Sequence, residues 1–244
     1  MANRAKYATL HASMPIFGSH APRKPDPLAE ARELMVTRHL EARGIGDPRV
    51  LRAFRQVRRE AFVDPGLAPS AYEDRPLAIG GGQTNSQPYV VALMASMLGL
   101  ADSDHVLEIG AGSGYACAIF AALARDVVGI ERVAGLAVRA RENLRQAGIP
   151  NVVIRTGDGT RDPDDGVMFD AIAVSAGGPS VPPSLLRRLA PGGRLVMPVG
   201  SDPDRQVLVT ITRAEDGTLR THVGPGVHFV PLVGDEGWPE ISRT

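Results

Sequence analysis

The spacing of apolar residues changes along this chain at about residue 100. After that point, short apolar runs alternate with longer segments in which apolar residues recur every three or four positions. Short apolar runs are typical of buried strands, and the longer period is typical of helices. We predict strands at residues 105–109, 127–130, 152–156, 171–175 and 194–198, and helices at 113–125, 134–147 and 183–189. This alternation favours a mostly parallel α/β sheet with helices on both faces.

The part of the chain before residue 100 follows a helical pattern. Residues 28–43 carry apolar positions at helical spacing, and a glycine follows where a helix would end. A second helix is predicted to begin at Pro48, with Asp47 as its capping residue. A third is predicted from Pro88 to Leu98. Residues 1–27 lack this periodicity and contain several prolines, which predicts a flexible N-terminal arm.

The end of the chain predicts antiparallel structure. Residues 206–213 and 219–222 are expected to pair around a turn at 215–217, and residues 227–230 are a candidate last strand. The chain therefore divides into an arm (1–27), a helical lead-in with a loop that covers the site (28–100), an α/β core (101–235) and a tail (236–244). A length of 244 residues suits one main domain.

Composition narrows the classes of partner. Lys plus Arg and Asp plus Glu both number 27, so no net charge draws the protein to nucleic acid or to an anionic membrane. No apolar run is long enough for a signal peptide or a membrane span. Cys117 is the single cysteine, which excludes an intramolecular disulfide and a multi-cysteine zinc site. We expect a cytoplasmic protein without a metal, and a monomer is the favoured oligomeric state.

A glycine-rich turn follows the first strand of the predicted core. Gly110, Gly112 and Gly114 alternate with other residues between a buried strand and a helix, where missing side chains let a ligand lie against the backbone. A dinucleotide site would require another glycine at the position of Tyr115. Glu108 within the motif favours a cationic ligand group over a pyrophosphate.

Acidic residues also follow the next two predicted strands. Glu131, with Arg132 beside it, ends the second strand, where an acid can accept hydrogen bonds from both hydroxyls of a ribose. Asp158 and Gly159 follow the third strand. The carboxyl ends of parallel strands meet at one edge, so these groups are expected to line a single crevice.

The Glu-x-Gly-x-Gly-x-Gly pattern resembles motif I of class I S-adenosylmethionine methyltransferases, which implies their Rossmann-like fold. In that superfamily the glycine loop accommodates the methionine end of the cofactor, and the acid at the position of Asp158 accepts from the adenine amino group. The resemblance therefore implies S-adenosyl-L-methionine as cofactor, bound by residues 84–86, Glu108, the three motif glycines, Glu131, Arg132, Asp158 and Gly159.

A segment of the lead-in resembles one particular family within this superfamily. Residues 82–88, Gly-Gln-Thr-Asn-Ser-Gln-Pro, are similar to the Gly-x-x-Thr-x-Ser-x-Pro segment of the protein-L-isoaspartate O-methyltransferases, and later segments continue the match over residues 30–235. The resemblance implies that Ser86 is the catalytic hydroxyl at the acceptor carboxylate, supported by Thr84. Asn85 departs from the family, where an aliphatic residue is expected. The implied substrate is an isoaspartyl residue in a protein or peptide.

Other interpretations of these residues remain open. Thr84, Asn85 and Ser86 could instead cap the helix that begins at Pro88. The candidate substrate contacts are Ile79, Gln87, Tyr89 and His228, and the last three could equally serve packing or structure. The acceptor could be a dedicated peptide, such as a natural-product precursor recognised through the arm, or a tRNA, although the charge balance disfavours RNA. A non-catalytic protein that binds S-adenosylmethionine is the alternative of another class.

The proposed chemistry needs little from the protein beyond positioning. A carboxylate with a pKa of about 4 is already ionised at neutral pH, so its attack on a sulfonium methyl requires no strong general base. Alignment of the reacting atoms can contribute roughly 7 to 11 kcal/mol.

Overall fold

The structure is a computed structural model that describes residues 26–161 and 165–240, so the predicted arm lies almost wholly outside the described residues. The lead-in begins with α1 (Ala29–Leu34), which continues as a π-helical turn (Met35–Leu40) and a short 3-10 turn (Glu41–Arg43). It goes on through α2 (Pro48–Gln56), two 3-10 turns (Arg59–Phe62 and Pro65–Ser70), a hairpin of β1 (Leu77–Gly80) and β2 (Gln83–Asn85), and α3 (Pro88–Leu98).

The core alternates strands and helices as predicted. The elements are β3 (His105–Ile109), α4 (Tyr115–Ala121), β4 (Asp126–Glu131), α5 (Ala134–Gln146), β5 (Val152–Thr156), β6 (Phe169–Val174), α6 (Pro183–Arg187), β7 (Leu189–Asp202), β8 (Arg205–Arg213) and β9 (Leu219–Val227). They form a seven-stranded sheet in the order β5-β4-β3-β6-β7-β8-β9. The pairs from β5 to β7 are parallel, whereas β8 runs antiparallel to β7 and to β9. The predicted fold class is confirmed.

The strand order places the site. The chain runs outward from β3 to β4 and β5, and then returns to place β6 on the other side of β3. Such a reversal leaves a crevice at the carboxyl ends of the two central strands. The loops after β3 and β6 meet there, because the Ser175 amide donates to the Ile109 carbonyl at 2.8 Å. The lead-in packs on one face of the sheet, with Phe54, Phe62 and Tyr115 buried in the same core.

Two local predictions are wrong in detail, and one element was not predicted. Residues 28–43 do not form one regular α-helix; the Thr37 hydroxyl donates to the Glu33 carbonyl at 3.0 Å, a contact that disturbs helices. Residues 227–230 form no strand beyond the end of β9, because the buried Gln206 amide binds both the amide and the carbonyl of Phe229. The hairpin of β1 and β2 was not predicted, since its strands are very short.

Candidate active site

The glycine loop after β3 adopts a backbone conformation that requires glycine. Gly110 and Gly112 have φ values of +83° and +55°, in the left-handed region that other residues rarely enter. Ile79 of β1 lies over this loop, and a Cβ atom at Gly112 would be only 3.1 Å from its Cδ1 atom. The loop therefore presents bare backbone to a narrow crevice, covered by the hairpin of the lead-in.

Glu131, at the end of β4, holds this loop in place. Its Oε2 atom accepts from the Gly112 amide at 2.8 Å, and its Oε1 atom accepts from the Val133 amide at 2.8 Å. Each carboxylate oxygen has a further lone pair, so the group can still accept a hydrogen bond from a ligand hydroxyl. Arg132, beside it, lines the crevice and forms an ion pair with Glu240 at 3.1 Å.

Glu108 lies beneath the loop and is only 1% exposed. Its Oε1 atom accepts from the Ser175 hydroxyl at 2.8 Å, and its Oε2 atom has no partner among the described residues. Burial raises the pKa of the Glu108 carboxyl to about 7. Glu108 lines the small cavity beside the glycine loop, where an acid suits a cationic ligand group better than a phosphate.

The segment after β5 closes the far end of the crevice. A Cβ atom at Gly159 would be 2.5 Å from a methyl group of Ile109, so only glycine fits there. The Asp158 carboxylate accepts from the amide and the hydroxyl of Thr160, both at 2.8 Å, and from the Asp235 amide at 2.9 Å. Asp158 thus ties the crevice to the end of the described chain.

Residues 230–238, which we term the closing segment, lie across the crevice. Gly177, after β6, binds Val230 and Leu232 through its backbone and accepts from the Trp238 indole at 3.0 Å. The Glu236 amide donates to the Thr160 hydroxyl at 3.1 Å. Residues 236–238, which the sequence analysis assigned to the tail, therefore contact the loops around the crevice. With this segment in place the crevice holds about 90 Å³ of free space, well below the ~300–1,000 Å³ of ordinary ligand sites.

An open groove of about 830 Å³ adjoins the crevice. Thr84 and Ser175 line both spaces, and Ser86 lines the groove and a small cavity that reaches Glu108 and the glycine loop. The Ser86 side chain is half-buried, and its hydroxyl has no hydrogen-bond partner among the described residues. The structure therefore brings together the glycine loop and the predicted catalytic serine.

The predicted substrate contacts divide between the two spaces. Gln87, Tyr89 and His228 line the groove, whereas Ile79 lines the crevice against the glycine loop. Within the groove, Asp74 accepts from the Gln87 side chain at 2.8 Å and from the Tyr89 amide at 3.1 Å. The predicted site residues thus surround two connected spaces rather than one.

Asn85, the residue that departs from the expected pattern, is buried. Its side chain is directed toward the lead-in, where the amide nitrogen lies 3.5 Å from the Phe62 carbonyl. The Gln87 side chain accepts no capping hydrogen bond, and the Tyr89 amide in the first turn of α3 donates to Asp74 instead. The polar residues before Pro88 therefore do not act as the helix cap that the sequence also allowed.

Known proteins share this sequence and this fold. The sequence pattern of the protein-L-isoaspartate(D-aspartate) O-methyltransferases matches residues 30–237. A protein-L-isoaspartate O-methyltransferase of Rhodopseudomonas palustris is 51% identical over 88% of this chain and 87% of its own length. One of Methanoculleus marisnigri is 49% identical over 89% of this chain and 98% of its own length. The chain belongs to this family.

A solved structure agrees with the assignment. The Plasmodium falciparum PCMT protein, crystallised in complex with S-adenosyl-L-homocysteine, superposes with a TM-score of 0.73 and 27% identity over 86% of this chain and 99% of that one. Family membership confirms the predicted enzyme class, a protein-L-isoaspartate O-methyltransferase, and S-adenosyl-L-methionine as its cofactor. The alternative of a non-catalytic binding protein is thereby disfavoured.

Two residues of the site carried no role in the sequence analysis. Ser175 directly follows β6, and its place beside the strand reversal was the available signal. Arg59 offered none, because it stands in an arginine-rich stretch that resembles an exposed helix face. The structure buries it completely beneath the Ser86 segment.

Proposed function

We propose that this chain esterifies the free carboxylate of L-isoaspartyl residues in many different proteins, with Ser86 at the acceptor. The observation that carries the proposal is the position of Ser86, which lines both the open groove and the small cavity that reaches Glu108 and the glycine loop. An isoaspartyl residue carries its carboxylate on a short branch of the polypeptide. Such a branch can reach the small cavity while the flanking chain stays in the groove.

The crevice residues fit the cofactor. The left-handed glycines and Gly159 leave room for a ligand to approach the backbone, and the unpartnered Oε2 atom of Glu108 suits a cationic group. S-adenosylmethionine supplies a methyl group already activated by its sulfonium. Glu131 would hold the ribose hydroxyls, Asp158 the adenine, and Glu108 the methionine end, with Arg132 and Thr84 completing the enclosure.

The groove residues would hold the acceptor. Gln87 and Tyr89 are fixed by Asp74 on one side, and His228 lies on the other. The acceptor carboxylate is ionised at neutral pH, so these residues need to orient it and exclude water rather than remove a proton. The Ser86 hydroxyl would donate to one carboxylate oxygen and direct the other toward the methyl group.

The openness of the groove favours general protein substrates over one dedicated peptide. The groove is lined by the first turns of α3, the start of β8, the end of β9 and the residues that follow it. We propose a cytoplasmic monomer, in keeping with the single cysteine. No helix among the described residues is long and apolar enough to cross a membrane.

The deciding experiment is transfer of labelled methyl from S-adenosylmethionine to short isoaspartyl peptides of unrelated sequence, with the matching aspartyl peptides as controls. Label on every isoaspartyl peptide and on none of the controls is the expected result. Label on none of them, with the cofactor still bound, would contradict the proposal and favour a dedicated acceptor. Light scattering on a sizing column would test the monomer.

A further inference from the structure

Arg59 is the most unusual buried residue of the lead-in. It begins the 3-10 turn after α2 and is 0% exposed. Its guanidinium donates to the backbone carbonyls of Ala71 at 2.7 Å, Ser86 at 2.9 Å and Arg75 at 3.2 Å, with longer contacts to Glu73 and Asn85. One side chain thus connects the segment of residues 71–75 to the segment that carries the catalytic serine.

The charge of Arg59 has no anionic partner. No carboxylate pairs with it among the described residues, and its buried Nε atom has no hydrogen-bond partner there. Burial of an unpaired charge is costly, and here it lowers the pKa of the guanidinium. A leucine or methionine would fill this space at lower cost. The hydrogen bonds from the planar Arg59 guanidinium to backbone carbonyls are therefore the feature that an apolar residue could not replace.

Arg59 also contacts the other half of the site. Its guanidinium carbon lies 5.6 Å from the ring centre of Tyr115, which is fully buried and begins α4 directly after the glycine loop. The Phe62 ring packs against the same tyrosine at 5.8 Å. Arg59 therefore lies between the Ser86 backbone and the helix that follows the glycine loop, and it fixes the distance between them.

We propose that Arg59 is a positioning residue, which sets the place of the Ser86 hydroxyl relative to the glycine loop through its bond to the Ser86 carbonyl. The proposal rests on the proposed role of Ser86. In a displacement that depends on alignment, a shift of about 1 Å can cost about 100-fold in rate. A planar fork that binds several carbonyls at once restricts such shifts, and a lysine, with a single nitrogen, cannot reproduce it.

Arg49→Lys provides a matched control for Arg59→Lys. Arg49 lies in α2 of the same lead-in and also donates to backbone carbonyls, those of Leu100 and of Leu123 at 2.8 Å; unlike Arg59, it is partly exposed and forms an ion pair with Asp102. It lines neither the crevice nor the groove. Each variant replaces an arginine fork by a single nitrogen, but only one of the forks reaches the Ser86 segment.

We expect Arg59→Lys to lower kcat on an isoaspartyl peptide by about 10- to 100-fold, with Kd for S-adenosylmethionine within threefold of wild type. Arg49→Lys should lower the melting temperature and leave kcat within twofold. In the Ser86→Ala background, Arg59→Lys should have little further effect on kcat, because the group it positions is gone. Equal effects of the two lysine variants, or full additivity with Ser86→Ala, would overturn the proposal.

A measurement on the wild-type protein covers the case in which Arg59→Lys does not fold. Hydrogen exchange should show the amides of residues 83–86 protected to the same degree as those of α2. Exchange within seconds would mean that Arg59 does not fix the segment, and would overturn the proposal. The proposed function would fail separately, through absence of transfer by the wild-type enzyme or full activity of Ser86→Ala.

Discussion

The hydroxyl of Ser175 donates a 2.8 Å hydrogen bond to the Oε1 atom of Glu108, which links the junction of the crevice and the groove to a buried acid. Ser175, which lines both spaces, thus has a fixed side-chain orientation. The second carboxylate oxygen of Glu108 remains unpartnered in the described part of the chain. With its pKa near 7, the acid is close to half protonated in neutral solution before any cation binds.

This state of Glu108 predicts that cofactor affinity depends on pH. A cation beside the glycine loop favours the ionised carboxylate, so binding must displace the proton that Glu108 carries below its pKa of about 7. We expect Kd for S-adenosylmethionine to rise about tenfold from pH 8 to pH 6. Titration calorimetry at both pH values measures the ratio. Glu108→Gln, which cannot titrate, should bind weakly with a much smaller ratio; a ratio as large as that of wild type would exclude Glu108 as the cause.

Glu108 also predicts that the free energy of unfolding falls as pH rises, whereas the cofactor affinity rises with pH. The folded pKa of Glu108 is raised from 4.5 to about 7, so the folded state binds its proton more tightly than the unfolded state. Stability from this group is present below pH 4.5 and is lost as pH rises through 7. Glu108→Gln should therefore stabilise the cofactor-free protein at pH 8, by at most about 3 kcal/mol.

Urea unfolding at pH 8 and pH 5 checks this sign. The advantage of Glu108→Gln should shrink toward pH 5, where wild-type Glu108 is protonated. Glu142→Gln is a useful control, because hydrogen bonds from Arg145 and Gln146 lower the pKa of that exposed acid to about 2. Its substitution should not stabilise the protein at pH 8. A destabilised Glu108→Gln at pH 8 would show that the ionised carboxylate is better accommodated than its burial implies.

Ser86 is predicted to affect catalysis and not cofactor binding. Loss of its hydroxyl should lower kcat about 100-fold, since it removes a hydrogen bond that orients the acceptor. Kd for S-adenosylmethionine should stay within threefold, because the cofactor contacts come mainly from the core. Single-turnover transfer to an isoaspartyl peptide separates the two quantities. Ser96→Ala is the matched control: that hydroxyl donates to the Ala92 carbonyl on α3, outside both spaces, and its loss should leave kcat unchanged.

The sequence predicted the core better than the lead-in, for a physical reason. Strands such as 152–156 and the helix opened by Pro88 depend on local spacing and on the proline at the first helical position, and the structure matches both. The hairpin of β1 and β2 depends on contacts made across the fold. Arg139 of α5 donates to the Ile79 carbonyl at 2.9 Å, and Ile79 packs over Gly112. No local pattern carries those contacts.

The candidate site divides in the same way. Motif spacing placed Glu131 and Ser86 where the structure has them, at a strand end and before α3. It did not find Ser175 or Arg59, whose importance comes from partners 67 and 27 residues away along the chain. It also assigned residues 236–238 to a tail, because contacts such as those of Glu236 with Thr160 and of Trp238 with Gly177 leave no periodicity in the sequence.

The closing segment leads to a prediction about rates. Residues 230–233 line the crevice, and later residues of the segment are bound to Thr160 and Gly177, so we expect cofactor exchange to require outward movement of this segment. The Thr160 hydroxyl holds the segment through the Glu236 amide and also donates to Asp158. Thr160→Val keeps the shape of the side chain and removes both bonds. Thr160→Val should lower the free energy that holds the segment closed by ~1 kcal/mol. We therefore expect association and dissociation of S-adenosylmethionine to accelerate together, by about three- to tenfold.

Trp238, the single tryptophan, belongs to the closing segment, and its indole donates to the Gly177 carbonyl outside that segment. Its fluorescence should therefore change when the segment moves. Stopped-flow fluorescence of wild type and Thr160→Val would give both rate constants. Asp158→Ala provides the contrast: it frees the segment and also removes the proposed adenine contact, so it should raise dissociation far more than association, and Kd with it. If Thr160→Val changed Kd as much as Asp158→Ala while leaving association unaltered, the segment would be part of the binding surface rather than the gate to it.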